Sequence, residues 1–203
     1  NYNAWGASHE YVTGLYYRLY FNVTLCNFFL EQTDGKSDGE SVVQRAEARF
    51  MRALNYCYLI DMFGKVPFVT KVSTENPSQV ERAELFRFIE KELEASEAMK
   101  DPQTNAYGRA DKAAAWLLLA RLYLNAEVYT GTAQWAKAAE YARKVMNTSY
   151  SLSPVYKHLF MADNNGSAVN RANTEIILPI LQDGAATRNY GGSLFLIAST
   201  HKT

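Results

Sequence analysis

Lys112-Ala-Ala-Ala-Trp116-Leu-Leu-Leu-Ala120-Arg-Leu-Tyr123 is the stretch on which the fold turns. Trp116, Leu119, Ala120 and Tyr123 stand at i, i+3, i+4 and i+7, the spacing of one helix face, so two large rings and a small alanine look the same way. Asp111 precedes them as an N-cap, and the spacing predicts a helix to about Glu127. A further helix is predicted from Thr130 or Thr132 to near Asn147, with Ala138 four residues before Ala142. Small residues on such faces let paired helices approach closely.

These residues fit the W-x2-L-[GA]-x2-Y pattern of the first helix of a tetratricopeptide unit, with Ala138 and Ala142 at small positions of its partner helix. Ala53 and Tyr56 repeat the relation of Ala120 and Tyr123 at an offset of 67 residues, so two hairpins share one design, each lengthened by insertions. Two ordinary amphipathic hairpins also fit this pattern. Upstream, Leu15, Leu19, Val23, Cys26 and Phe29 or Leu30 predict a helix over residues 11–30, and residues 33–41 read as a polar turn. A second helix is predicted from Val42 to Met62, where Gly64 and Pro67 end it. Residues 66–76 read as loop with an extended piece at 67–70, and Leu85, Phe88, Ile89 and Leu93 predict a third helix over 81–99. The fold class is mostly α. A tetratricopeptide-like scaffold over residues 1–147 precedes an irregular segment over 148–203, in which Glu175 to Ile180 reads as a short strand or extended segment. Residues 9–31 already read as a helix and the end follows an apolar run, so the chain reads as part of a larger protein.

Lysine plus arginine and aspartate plus glutamate each number 21, so no net field favours nucleic acid or an anionic membrane surface. The aromatic share of 13%, with 14 tyrosines, suits binding surfaces as well as cores, because tyrosine joins a flat apolar face to a hydroxyl. Cys26 and Cys57 match no metal or redox spacing, which leaves buried thiols and a disulfide both open. His9, His158 and His201 are far apart, and Glu90, Glu92, Glu94 and Glu97 beside Lys91 and Lys100 read as a solvated helix face. A glycosidase acid and nucleophile can be distant in sequence, but no feature singles out such a pair. The reading is non-enzymatic, with no cofactor or metal centre. Arg188-Asn-Tyr190-Gly-Gly-Ser193 is the best binding candidate. Its glycines leave room beside the Tyr190 ring, while Arg188 and Asn189 offer planar donors for paired hydroxyls. The same glycines equally make a turn with Tyr190 packed inward.

Residues 46–70, from Ala46-Glu-Ala-Arg-Phe50 through Asn55-Tyr-Cys-Tyr to Phe63-Gly-Lys-Val-Pro-Phe-Val-Thr70, resemble the hallmark helix of the SusD/RagB family. Tyr107-Gly-Arg-Ala-Asp-Lys-Ala-Ala-Ala-Trp116, Ala120 to Ala126, Phe160-Met-Ala-Asp-Asn164 and Glu175 to Ile180 extend the resemblance over nearly the whole chain. Tyr129-Thr-Gly131, Gln182-Asp-Gly184 and Thr187 to Ser193 are most similar to the family's starch binder. The resemblance implies a non-catalytic outer-membrane lipoprotein, anchored by a lipid outside this sequence, that binds starch or malto-oligosaccharide and docks on a TonB-dependent transporter. It places Tyr190 in an aromatic arc that fits an α-glucan, with Asn189 and Arg188 as neighbours. A transporter-docking scaffold with another glycan or none is the alternative. Some members bind calcium; Asp163-Asn-Asn165 is the stretch that offers ligands here, although such a loop also reads as a plain turn.

Overall fold

The computed structural model describes residues 6–181. Six helices run in chain order: α1 Glu10–Gln32, α2 Gly39–Met62, α3 Arg82–Glu94, α4 Lys112–Leu124, α5 Ala126–Thr130 and α6 Trp135–Met146. The expected fold class is what is found. A single turn of 3-10 helix, Ala95–Ala98, continues α3 to the end of the predicted third helix. α2 begins three residues before its first apolar residue, because the Asp38 carboxylate accepts the Ser41 N–H at 2.9 Å and caps it. α4 stops earlier than expected, at Asn125, and α5 ends at Gly131 with φ 77. Glycine takes that left-handed C-cap without steric cost. α6 starts at Trp135, beyond both threonines that the sequence offered as its start.

α1 packs on α2, α2 on α3 and α4 on α6, so paired helices lie side by side as a repeat scaffold requires. The offset pair has a physical meaning. Ala53, Tyr56 and Tyr123 are almost wholly buried, and Ala120 nearly so. Tyr56 meets Phe88 edge-on at 5.5 Å, and Tyr123 stacks on Tyr141 at 5.6 Å. In each hairpin the alanine makes room and the ring fills the space between helices.

Three expectations are corrected, two about exposure and one about a strand. Leu15 is exposed, and α1 carries a row of uncovered apolar side chains, Tyr17, Phe21, Leu25 and Phe28, each between 51% and 68% exposed. Glu92, read as part of a solvated face, is 3% exposed in the core. The strand expected at Glu175 to Ile180 is absent: a 3-10 turn, Ala172–Thr174, runs into it, and the segment pairs with no described strand. The described strands are instead β1 Val66–Pro67 and β2 Gln79–Val80, an antiparallel pair closing the loop between α2 and α3. Both cysteines are free, which settles the pairing that the sequence left open. Burial pushes the Cys26 thiol up to about 11 and the Cys57 thiol up to about 12.

Candidate functional site

The residues that make Ala46 to Thr70 a recognisable stretch act together as a clamp. Past Gly64 the chain turns back as a strap over α1 and α2. The Tyr20 hydroxyl donates to the Pro67 carbonyl at 2.6 Å, and Asn27 donates to the Val69 carbonyl at 3.3 Å. The Tyr56 hydroxyl both donates to the Val69 carbonyl, at 2.7 Å, and accepts the Val69 N–H, at 2.9 Å. Beneath them Arg52, 7% exposed, donates to Glu92 from Nε at 2.8 Å, to Asn27 from Nη1 at 2.7 Å, and lies over the Phe88 ring. Arg49 donates to the other Glu92 oxygen at 3.0 Å. A buried charge is tolerated only when paired and hydrogen-bonded, and Arg52 with Glu92 meets both conditions. Burial raises the Tyr56 phenol to about 12. This cluster carries no exposed reactive group, so its work is to hold shape.

A different surface forms where the helical array meets the irregular segment. The loop before α4, residues 103–109, lies opposite residues 173–179, and a cleft of about 300 Å3 opens between them. The Asp111 carboxylate organises one wall. It accepts the Ala114 N–H at 3.1 Å as the α4 N-cap, the Gln103 N–H at 2.9 Å and the Tyr150 hydroxyl at 2.8 Å. Burial and the adjoining Asp111 carboxylate push the Tyr150 phenol above its ordinary range. Arg109 is tied to Glu47 at 2.7 Å and stands 3.6 Å from Glu40, and Asn105 donates to Glu47 and to the Ala110 carbonyl. Gly108, at φ 91, leaves the floor low: a Cβ there would stand 2.6 Å from Leu181 Cδ1. Ile176, Ile177 and Pro179 form the opposite wall, and Tyr107 stands at the rim, 42% exposed.

Tyr190, Asn189 and Arg188, the sequence-predicted glycan residues, lie outside the described residues, as do Trp5 and His201. Asp163, offered as a calcium ligand, uses its carboxylate inside its own loop: Ser167 donates to Oδ2 at 2.8 Å and Asn170 to Oδ1 at 2.8 Å, which lowers its pKa. Among the described residues no group of three or more His, Cys, Asp or Glu is placed to hold a metal ion. His9 caps α1 by accepting the Tyr11 N–H, and His158 lies on the short 3-10 turn Tyr156–Phe160. Sequence reasoning quoted Tyr107 and Arg109 only as parts of a motif, gave Asp111 the further role of an N-cap, and missed the cleft. Its walls are about seventy residues apart in the chain, and no periodicity links them.

Residues 1–124 match a family model described as SusD-like, starch-binding and associating with the outer membrane. Over 198 residues the chain is 50% identical to the starch-binding protein SusD of Bacteroides thetaiotaomicron, which covers 97% of this chain and 36% of that protein. A SusD-like carbohydrate-binding protein from Bacteroides fragilis superposes with a TM-score of 0.67 at 25% identity, over 76% of this chain and 31% of that one. A structure solved with a xylogluco-oligosaccharide superposes at 0.75 and 27% identity, over 86% of this chain and 36% of that one. The chain thus spans about a third of the length of the relatives it matches.

Proposed function

We propose that this chain, which belongs to the SusD-like family, forms part of a non-catalytic receptor that binds starch or malto-oligosaccharide at the bacterial outer-membrane surface and passes it to a TonB-dependent transporter. The observation that carries this reading is the 50% identity to a starch-binding protein across nearly the whole chain. Binding of this kind breaks no bond. Aromatic faces take the C–H face of each glucose, and planar amide or guanidinium donors take its hydroxyls. In this chain Tyr190 is the proposed platform, with Asn189 and Arg188 beside it. Membrane association is proposed through a lipid anchor; no helix among the described residues is long and apolar enough to cross a membrane.

The test is electrophoresis of the protein through native gels with and without amylopectin. Wild type is expected to be retarded, and Tyr190→Ala to run faster in the same gel. Equal retardation removes Tyr190 from the site. Retardation by xyloglucan and not by amylopectin replaces the glycan and keeps the class, a result that the xylogluco-oligosaccharide bound by a relative of the same fold makes worth including. A second reading, a scaffold whose task is to dock on the transporter, is favoured by the uncovered row Tyr17, Phe21, Leu25 and Phe28 on α1. Co-purification with a large β-barrel without retention by any glycan supports that reading instead.

A further inference from the structure

The cleft between residues 103–109 and 173–179 has no part in the reading above, and its chemistry is selective. Its volume of about 300 Å3 lies at the small end of ligand sites. Its charged side chains are already hydrogen-bonded. Asp111 receives three donors, from Ala114, Gln103 and Tyr150, and Arg109 is held by Glu47 beside Glu40. A phosphate entering here meets no spare cation, since Arg109 is held by Glu47 beside Glu40, and stripping it of water has no compensation. What remains open is neutral. The Tyr107 hydroxyl and the side-chain amides of Gln103 and Asn173 hold no hydrogen bond among the described residues, and Ile176, Ile177 and Pro179 offer apolar surface opposite. Gln103 is the one non-glycine residue with positive φ among those described, at 61, and the Asp111 carboxylate holds its N–H in that conformation.

A half-exposed ring, two unspent amides and an apolar wall are the complement of a pyranose, which is apolar on its C–H face and ringed by hydroxyls. We propose that this cleft is a second saccharide subsite for one or two neutral pyranose rings, with Tyr107 as the stacking platform and Gln103 and Asn173 as hydroxyl partners. The inference rests on the carbohydrate-binding reading and does not need Tyr190. Tyr107 carries no hydrogen bond that the fold depends on, so its replacement tests binding and not folding.

The experiment is calorimetric titration with maltotriose of wild type, Tyr190→Ala, Tyr190→Ala/Tyr107→Ala and Tyr190→Ala/Tyr107→Phe, each checked for unchanged helical circular dichroism. Tyr190→Ala is expected to keep a weaker binding event; adding Tyr107→Ala weakens that event by about tenfold or more, whereas Tyr107→Phe, which keeps the ring, weakens it by less than about threefold. Loss of all binding in Tyr190→Ala alone, or a residual event indifferent to Tyr107, overturns the cleft and leaves the receptor reading standing. If wild type binds neither maltotriose nor xylogluco-oligosaccharide, the receptor reading fails and the cleft fails with it.

Discussion

The α1 to α6 array and the segment from Thr148 to Leu181 solve the same problem by different means. In the array, Val23, Phe50, Tyr56, Leu59, Leu85, Ile89 and Leu119 are almost wholly buried, and helices supply the backbone partners. In the segment beyond α6 only Asn170 and Ala172 are buried among the described residues, and polar groups do the joining. Asn170 donates to the His158 carbonyl and to Asp163, and its own oxygen accepts the Ala172 N–H at 2.9 Å. Ser151 donates to the Thr174 carbonyl, and the Ser153 N–H to the Glu175 carboxylate. A packed array gains stability roughly in proportion to apolar area removed from water, whereas a polar-stitched loop gains little net stability from each bond but fixes a shape. The cleft lies on the seam between the two, with Asp111 from the array holding Tyr150 from the segment.

This contrast is broken most severely at Arg52. Arg52→Ala leaves the Glu92 carboxylate buried without its main partner and is expected to cost about 3–5 kcal/mol, read as a lowered midpoint of cooperative urea unfolding. Tyr56→Phe comes next: the Val69 N–H loses its acceptor, at about 1–3 kcal/mol. The pH dependence has a definite sign. The Tyr56 pKa of about 12 lies above the ordinary value of 10.0, so the unfolded chain loses this proton first. The contribution is full below pH 10 and fades as pH rises toward 12, and the alkaline loss is expected to be smaller in Tyr56→Phe than in wild type. Asn170→Ala is the mildest, about 1 kcal/mol on the global midpoint, because the bonds that this buried side chain makes lie within a loop segment that can open locally without unfolding the helices. Hydrogen exchange should quicken between residues 151 and 175 while the unfolding midpoint barely moves. A matching drop in the global midpoint would show the segment to be as integral as the helices.

What the sequence disclosed follows the same division. The alanine and tyrosine pairs at 53/56 and 120/123 were legible because helix packing repeats every three to four residues and leaves a periodic trace. Glu92 was misread for the same reason: its neighbours Glu90, Glu94 and Glu97 dominate the local pattern, and a partner forty residues away on α2 leaves no periodic mark. The absent strand at Glu175 to Ile180 is a further case. Its β-rich composition suggested a ladder, but among the described residues it pairs with no strand, and Ile176 and Ile177 line the cleft instead. Tyr107 and Asn173 carry no pattern that sequence spacing can detect. Only the fold brings them to one cleft.

The strap over α1 and α2 bears on how the chain assembles. Its bonds join residues 13 to 47 positions apart, from Tyr56 with Val69 to Tyr20 with Pro67. Loop-closure entropy grows only with the logarithm of such separations, about 0.6 kcal/mol for each doubling. The strap can fasten only when α1 and α2 already lie side by side, since both supply its partners, yet it needs nothing beyond α3. This corner of the molecule therefore completes itself from neighbouring chain, early and locally, and offers the rest a finished edge to build on.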